Sequence, residues 1–408
     1  MPARLNLQGG ATGASVLATG PARVVVPEDP GPPFAYLEAT DERSDMETVT
    51  AQRHGQAMST PSTMKAYRLL GWQRPPELVE VPVPEPGPGQ VLLKVAGAGA
   101  CHSDLHLMEW PEGQLPWTLP FTLGHENTGW VEALGAGVDD LDVGQPVIVH
   151  GPWGCGRCRA CRLSEENYCE RQAQIGANGG GLGLDGGIAE YMLVPSRRLV
   201  VPLGDLDPRD AAPLTDAALT PYHAIKRSLH LLVPGSTAVV IGVGGLGHMG
   251  VQILQATSPA RIVAVDTAAD KLELAREVGA DDALAPDDAA EAIGEITGGL
   301  GAELVIDMVG ADSTLELASK LVRPRSDLTL VGLAGGTLEF GFFALPYECQ
   351  LAATYWGSGV ELMEVLDLAR AGKIKGHVER FGLEEVAAVY DRLRNGQVSG
   401  RAVVCPHG

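Results

Sequence analysis

The chain is short of positive charge and of long apolar runs. Its 408 residues include 30 Lys and Arg against 51 Asp and Glu, a formal net charge of −21. So acidic a surface repels phosphate backbones and anionic lipid, which excludes nucleic acid and membranes as expected partners. The longest apolar stretch, Ala238 to Leu254, is broken by five glycines and a histidine and cannot serve as a membrane span. No apolar core follows Arg4, so nothing at the N-terminus reads as a secretory signal, and a cytoplasmic protein is expected. Seven cysteines, an odd number with four inside fifteen residues, point to metal binding rather than to disulfides. With 45% hydrophobic and 20% charged residues the remainder is ordinary for a soluble globular protein. At roughly 100–200 residues per domain, the length suggests two or three domains.

Residues 1–63 stand apart. They are rich in Ala, Gly, Pro, Ser and Thr, as in Pro30-Gly31-Pro32-Pro33 and Ser59-Thr60-Pro61-Ser62-Thr63, and carry no sustained period. Such a segment buries too little apolar surface to offset its ordering entropy, so a disordered extension is expected. Met64-Lys65-Ala66 would make a normal beginning in its place. From Met64 to residue 217, short strands such as Val91–Val95 and Gln145–Val149 alternate with Gly- and Pro-rich turns, the pattern of a β-rich, barrel-type domain. Over residues 218–354 the rhythm becomes strand–helix–strand. Strands are expected at Thr237–Gly242, Arg261–Asp266, Glu303–Asp307 and Leu328–Gly332, with helices at Asp270–Val278, Asp288–Thr297 and Thr314–Val322. Right-handed crossovers between such strands build a doubly wound parallel sheet, an α/β fold. Residues 355–408 return to mixed elements, so the α/β domain is inserted before the last segment.

Val239-Val240-Ile241 runs into Gly242-Val243-Gly244-Gly245-Leu246-Gly247 and then into an apolar helical pattern, His248 to Thr257. The glycines allow a tight turn and let a pyrophosphate approach the helix N-terminus, where free amides and the dipole favour negative charge. Asp266 lies nineteen residues past Gly247 at the end of the next strand. A carboxylate there accepts from the ribose hydroxyls and repels a 2′-phosphate, which favours NAD over NADP. Cys155, Cys158, Cys161 and Cys169 have the spacing C-x2-C-x2-C-x7-C. Four thiolates can enclose one ion tetrahedrally and suit structural zinc; an iron–sulfur cluster is the rival, though no second cluster motif accompanies them. Cys101-His102-Ser103-Asp104-Leu105-His106, with His125 twenty-four residues after Cys101 in Gly124-His125-Glu126, supplies a second group of thiol and imidazole donors.

With these three motifs in this order, residues 64–408 resemble the zinc-dependent medium-chain alcohol dehydrogenases, nearest to the bacterial secondary-alcohol enzymes through Pro213-Leu214-Thr215-Asp216 and Tyr355-Trp356-Gly357. The resemblance implies a GroES-like catalytic domain beside a Rossmann-type NAD domain and two zinc ions per chain. Cys101, His125 and Asp216 would hold the catalytic zinc, with Asp216 where many members have a second cysteine. Glu126 would stand behind the metal and Asp104 behind His125. Ser103 would hydrogen-bond the substrate oxygen, and His106 would pass its proton outward through the cofactor ribose. Thr220 would touch the nicotinamide with Leu246 packed behind it. His102, Lys271 and Arg401 would lie at the cofactor's phosphates and ribose. Gly359 occupies a position near which similar chains often carry an arginine.

Trp117, eight residues before His125, and Trp356 would flank the substrate, with Trp110 and Phe121 nearby. Two indoles suit medium-chain secondary or aryl alcohols and their ketones. A primary-alcohol, aryl-alcohol or polyol dehydrogenase of the same family is the alternative. A non-catalytic NAD-binding structural protein is the reading from another class, disfavoured by the retained metal donors. The resemblance also implies a homo-oligomer, a dimer or a tetramer.

Overall fold

The computed structural model describes residues 60–408. Of the extension expected over residues 1–63, residues 1–59 lie outside the described residues. Its last four residues are instead part of the folded body: Thr63 opens the strand Thr63–Leu69, the Ser62 carbonyl accepts from Val83 N, and the Thr60 hydroxyl donates to Glu132.

Residues after Thr60 build two largely antiparallel sheets. The smaller has the order Glu77–Pro82, Thr63–Leu69, Phe121–Thr122. The larger runs Val200–Pro202, Pro146–Val149, Glu126–Leu134, Val91–Ala100, Arg401–Val404, Val378–Phe381, with Tyr191–Val194 also pairing to Val91–Ala100. The last residues therefore close a sheet begun more than 300 positions earlier in the chain: Ala402 faces Ala100 and Val404 faces Ala98. Nine of the ten residues of Val91–Ala100 are buried, so this strand forms the spine of the core.

The second half forms a six-stranded parallel sheet in the order Asp282–Leu284, Arg261–Val265, Thr237–Ile241, Ala302–Asp307, Val322–Leu330, Gln350–Ala353. In chain order this is 3-2-1-4-5-6, the doubly wound arrangement whose direction switches beside its first strand. All five residues of Thr237–Ile241 are buried, as expected of a strand covered on both faces. Gly247–Thr257, Ala269–Glu277, Pro286–Ile296 and Asp312–Leu321 are the crossover helices. The strand expected at Leu328–Gly332 begins at Val322, because Val322 pairs with Ala302 before Pro324, Arg325 and Ser326 loop out and pairing resumes at Asp327. Arg325 takes a left-handed φ of 63° in that irregularity, which no alternation of residues announced.

Candidate active site

The loop after Val91–Ala100 and the start of Glu126–Leu134 bring together residues far apart in sequence. Cys101 caps the helix His102–Glu109, and His125 directly precedes the strand Glu126–Leu134. Asp216 ends a short 3-10 turn, Ala212–Thr215. The donor atoms of Cys101, His125 and Asp216 lie within 4.8 Å of one another, and all three residues are buried. Asp216 Oδ2 is 3.9 Å from Cys101 Sγ and 3.6 Å from His125 Nε2. One thiol, one imidazole and one carboxylate with room for a fourth ligand is a donor set that fits catalytic zinc. Asp104 Oδ1 sits 3.1 Å from His125 Nδ1, which turns Nε2 inward, and Asp104 Oδ2 accepts from the Cys101 backbone at 3.0 Å. The Tyr390 hydroxyl donates to the same Oδ2 at 2.8 Å; it comes from 286 residues away, and no local signal identifies it. Ser103 Oγ is 3.5 Å from Cys101 Sγ.

Behind the donors, Glu126 and Arg401 form a wholly buried pair. Arg401 Nε and Nη2 donate to the two Glu126 oxygens at 2.9 and 2.6 Å, and Ala217 N donates to Oε1 at 3.0 Å. Burial pushes the Glu126 carboxyl upward, and Arg401 opposes that. Arg401 Nη2 also reaches to 3.5 Å from Asp216 Oδ2. The space for Glu126 depends on Gly99, since a Cβ there would lie 1.8 Å from Glu126 Oε2. Thr220 is turned toward the metal donors: its hydroxyl donates to Asp216 Oδ1 at 2.7 Å. Trp356 packs edge-on against His125 with ring centroids 5.6 Å apart, and its Nε1 donates to Thr215 O at 2.6 Å. Its φ of 55° is costly for a bulky residue, and that hydrogen bond helps hold it. Trp117, by contrast, packs on Phe121 and lies over Gly183, while Trp110 stacks with His106.

The glycine turn follows Thr237–Ile241 at the point where strand order reverses. Gly242 adopts φ 89°, and a Cβ on Gly247 would meet Gly242 O at 1.8 Å, so strand and helix approach closely only through glycine. A Cβ on Gly244 would point into open space, where a pyrophosphate has room over the helix N-terminus. Leu246 caps that helix and packs partly buried against the core. Arg401 lies against Gly245, with Nη1 2.6 Å from where a Cβ would stand. Asp266 is anchored across the turn, accepting from Val243 N at 2.7 Å and from Ala268 N at 3.0 Å. Desolvation of the His102 ring, then the charges of Arg401, His106 and Lys271, lower its pKa to about 4. This set fits a dinucleotide.

Residues 87–205 match the model of the alcohol dehydrogenase GroES-like domain, and residues 245–370 that of the zinc-binding dehydrogenases. An NAD-dependent alcohol dehydrogenase of Sulfurisphaera tokodaii is 36% identical over 355 residues, covering 84% of this chain and 100% of its own. The crystal structure of the alcohol dehydrogenase from Aeropyrum pernix aligns with a TM-score of 0.77 at 37% identity, over 84% of this chain and 100% of that one. Acetophenone reductase from Geotrichum candidum, solved in complex with NAD, aligns with a TM-score of 0.72 at 34% identity, over 85% and 98%. The chain belongs to the zinc-type medium-chain alcohol dehydrogenases. It is an oxidoreductase of that family, using zinc and NAD.

The cysteine lobe of this dehydrogenase carries the second metal-type cluster. Cys155, Cys158, Cys161 and Cys169 hold their sulfurs within 4.8 Å of one another. The backbone amides of Cys155, Cys158, Cys161 and Arg171 point at three of those sulfurs at 3.3–3.5 Å, so the loop is shaped to stabilise thiolates around an ion. Gly359 opens the helix Gly359–Arg370 and gives its N–H to Ser164 O of the lobe at 2.7 Å. Nearby, the Tyr168 hydroxyl meets His223 Nε2 at 2.9 Å, and His223 Nδ1 faces Glu361 at 2.9 Å. Burial alone would raise the Glu361 carboxyl, but His223 and the capping Ser358 outweigh it and hold it at about 2. A lowered folded pKa means that this stabilisation is complete above the ordinary value of 4.5 and is lost as pH falls through about 2. Glu361→Gln should therefore cost about 1–3 kcal/mol at neutral pH, with the gap to the wild type narrowing below pH 4.5 in denaturant titrations. A gap independent of pH would refute the assignment.

Proposed function

We propose that this chain interconverts secondary alcohols, medium-chain or aryl-substituted, and their ketones with NAD. The observation that carries this reading is the buried meeting of Cys101, His125 and Asp216 beneath the Trp356 indole. When bound at these residues and at the glycine turn, zinc supplies a Lewis acid for the alcohol oxygen and NAD a hydride acceptor for its carbon. Asp104, held by Tyr390, fixes the His125 ring. Glu126 and Arg401 set the charge behind Asp216, and Thr220 fixes that carboxylate's rotation. Ser103 accepts the alcohol proton, and His106, stacked with Trp110, carries it outward. Asp266 takes the adenosine ribose, with Lys271 and His102 beside it, and Leu246 backs the nicotinamide. Cys155, Cys158, Cys161 and Cys169 hold the second zinc, which does no chemistry.

In this reading residues 64–217 and 355–408 form one GroES-like catalytic domain, and residues 218–354 form the cofactor domain. No helix among the described residues is long and apolar enough to cross a membrane. The proposal extends to a cytoplasmic homo-oligomer. Phe340, Phe342, Phe343 and Tyr347, between 66% and 86% exposed, support that assembly, since they lie beside the open edge strand Gln350–Ala353.

The test is NAD and NADP reduction against primary, secondary, aryl and polyol alcohols. Preference for secondary alcohols with NAD is expected; turnover of polyols alone would move the substrate class. Asp266→Ser should raise the NADP-to-NAD ratio of kcat/KM by about tenfold to a hundredfold, the effect of removing one carboxylate from the 2′-position. Unchanged selectivity would remove Asp266 from the ribose site.

A further inference from the structure

The helix that begins at the glycine turn is tied to the opposite domain by two of its buried polar residues. His248 is fully buried at the second position of Gly247–Thr257. Its Nδ1 lies 3.0 Å from Gly244 O in the turn, and its Nε2 accepts from His377 N at 3.2 Å. An imidazole that donates at one nitrogen and accepts at the other is neutral. Burial first, then the charges of Arg401 and His377, outweigh the pull of the Gly244 carbonyl and hold its pKa down to about 4. His377 O in turn accepts from Arg401 N at 2.8 Å. That approach depends on Gly400, where a Cβ would lie 2.2 Å from His377 O. The Arg401 guanidinium completes the run on Glu126 and beside Asp216. One turn along the same helix face, Gln252 accepts from Lys375 N at 2.9 Å and donates to Lys375 O at 3.0 Å. A cavity of about 590 Å³ flanks Gln252, Lys375, Gly376 and His377, so on that side the segment is held to the helix by these hydrogen bonds.

We infer that His248 is a positioning residue linking the glycine turn to the strand of Arg401, so that cofactor at the turn and the carboxylates at the metal donors are energetically coupled through one imidazole. The inference rests on the reading of the turn as the NAD site and of Cys101, His125 and Asp216 as the zinc site. A buried histidine could instead be satisfied core packing, and two substitutions separate these roles. The backbone N–H of residue 248 donates to Gly244 O at 3.2 Å whatever the side chain, so the turn stays tied to this position in both variants. His248→Asn places its amide near the Nδ1 position and loses the His377 bond, whereas His248→Gln reaches the Nε2 position and keeps it.

The readout is zinc release to a chromophoric chelator with and without NADH, using the phase that Cys101→Ser removes. Coupling between two sites commonly amounts to fivefold or more. Bound NADH should slow that phase by about fivefold in the wild type and in His248→Gln, and by less than about twofold in His248→Asn. Gly400→Ala, which displaces His377 O without touching the helix, should lose the protection as well. Equal protection in all four proteins would overturn the link, as would losses in both His248 variants that simply follow a fall in Tm. Wild-type protein that binds NADH without any change in zinc release would overturn the coupling alone. Failure of the wild type to bind NADH at all would overturn the cofactor reading together with it.

Discussion

Cys101→Ser and His125→Ala proteins should lose at least ~10³-fold in kcat while binding NADH within about tenfold of the wild type. A Lewis acid contributes several kcal/mol to the transition state, and each ~1.4 kcal/mol is a factor of ten in rate. The glycine turn and Asp266 touch neither donor, so cofactor affinity should fall by no more than the coupling carried through His248. Steady-state rates, NADH titration and zinc content by mass spectrometry check this together. The expected zinc content is two per wild-type chain and one in the variants, with the cysteine lobe still loaded. Full activity in either variant would end the zinc mechanism, and wild-type protein without zinc would revive a non-catalytic reading.

Arg401→Met should destabilise the protein by about 3–5 kcal/mol, because it leaves the Glu126 carboxylate buried without its partner. Arg401 is 3% exposed and Glu126 not at all, so water cannot replace the lost guanidinium. Ala217 N remains as a donor to Glu126 but carries no charge. The Arg401→Met/Glu126→Gln double variant should recover much of the loss, since a neutral amide removes the unpaired charge. Denaturant unfolding of the four proteins forms a double-mutant cycle, expected to show a coupling of about 1–3 kcal/mol. Additive losses would mean that the pair contributes packing only. Gly99→Ala should disturb the same place, since its Cβ would lie 1.8 Å from Glu126 Oε2.

These effects separate what neighbouring residues announce from what distant ones arrange. The parallel sheet, its crossover helices and the glycine turn were readable because their periods and turn signals lie within a few residues of one another. The cysteine lobe was readable for the same reason, since all four thiols fall inside one loop. Thr220 read as a nicotinamide contact; that its hydroxyl also donates to Asp216 four residues earlier came only from the turn entering the helix Leu219–Ser228. The two indoles looked alike in composition, but Trp356 lies against His125 while Trp117 packs with Phe121. Residues 60–63 read as part of a featureless segment because their contacts, to Glu132 and Val83, are with strands further along the chain.

By itself, the sequence determined the α/β class, the nucleotide-type turn with Asp266 after it, and a four-thiol metal loop, all local patterns of spacing and hydrophobicity. Only the tertiary structure decided that Tyr390 steadies Asp104, that Arg401 neutralises Glu126 from 275 residues away, and that His248 bridges the turn to His377. Those partners meet because the final strands close the sheet begun by Val91–Ala100, and burial there makes an unpaired charge costly. Pairing across such distances is set by sheet register and by the cost of burying charge, and neither leaves a mark in the residues adjacent in the chain.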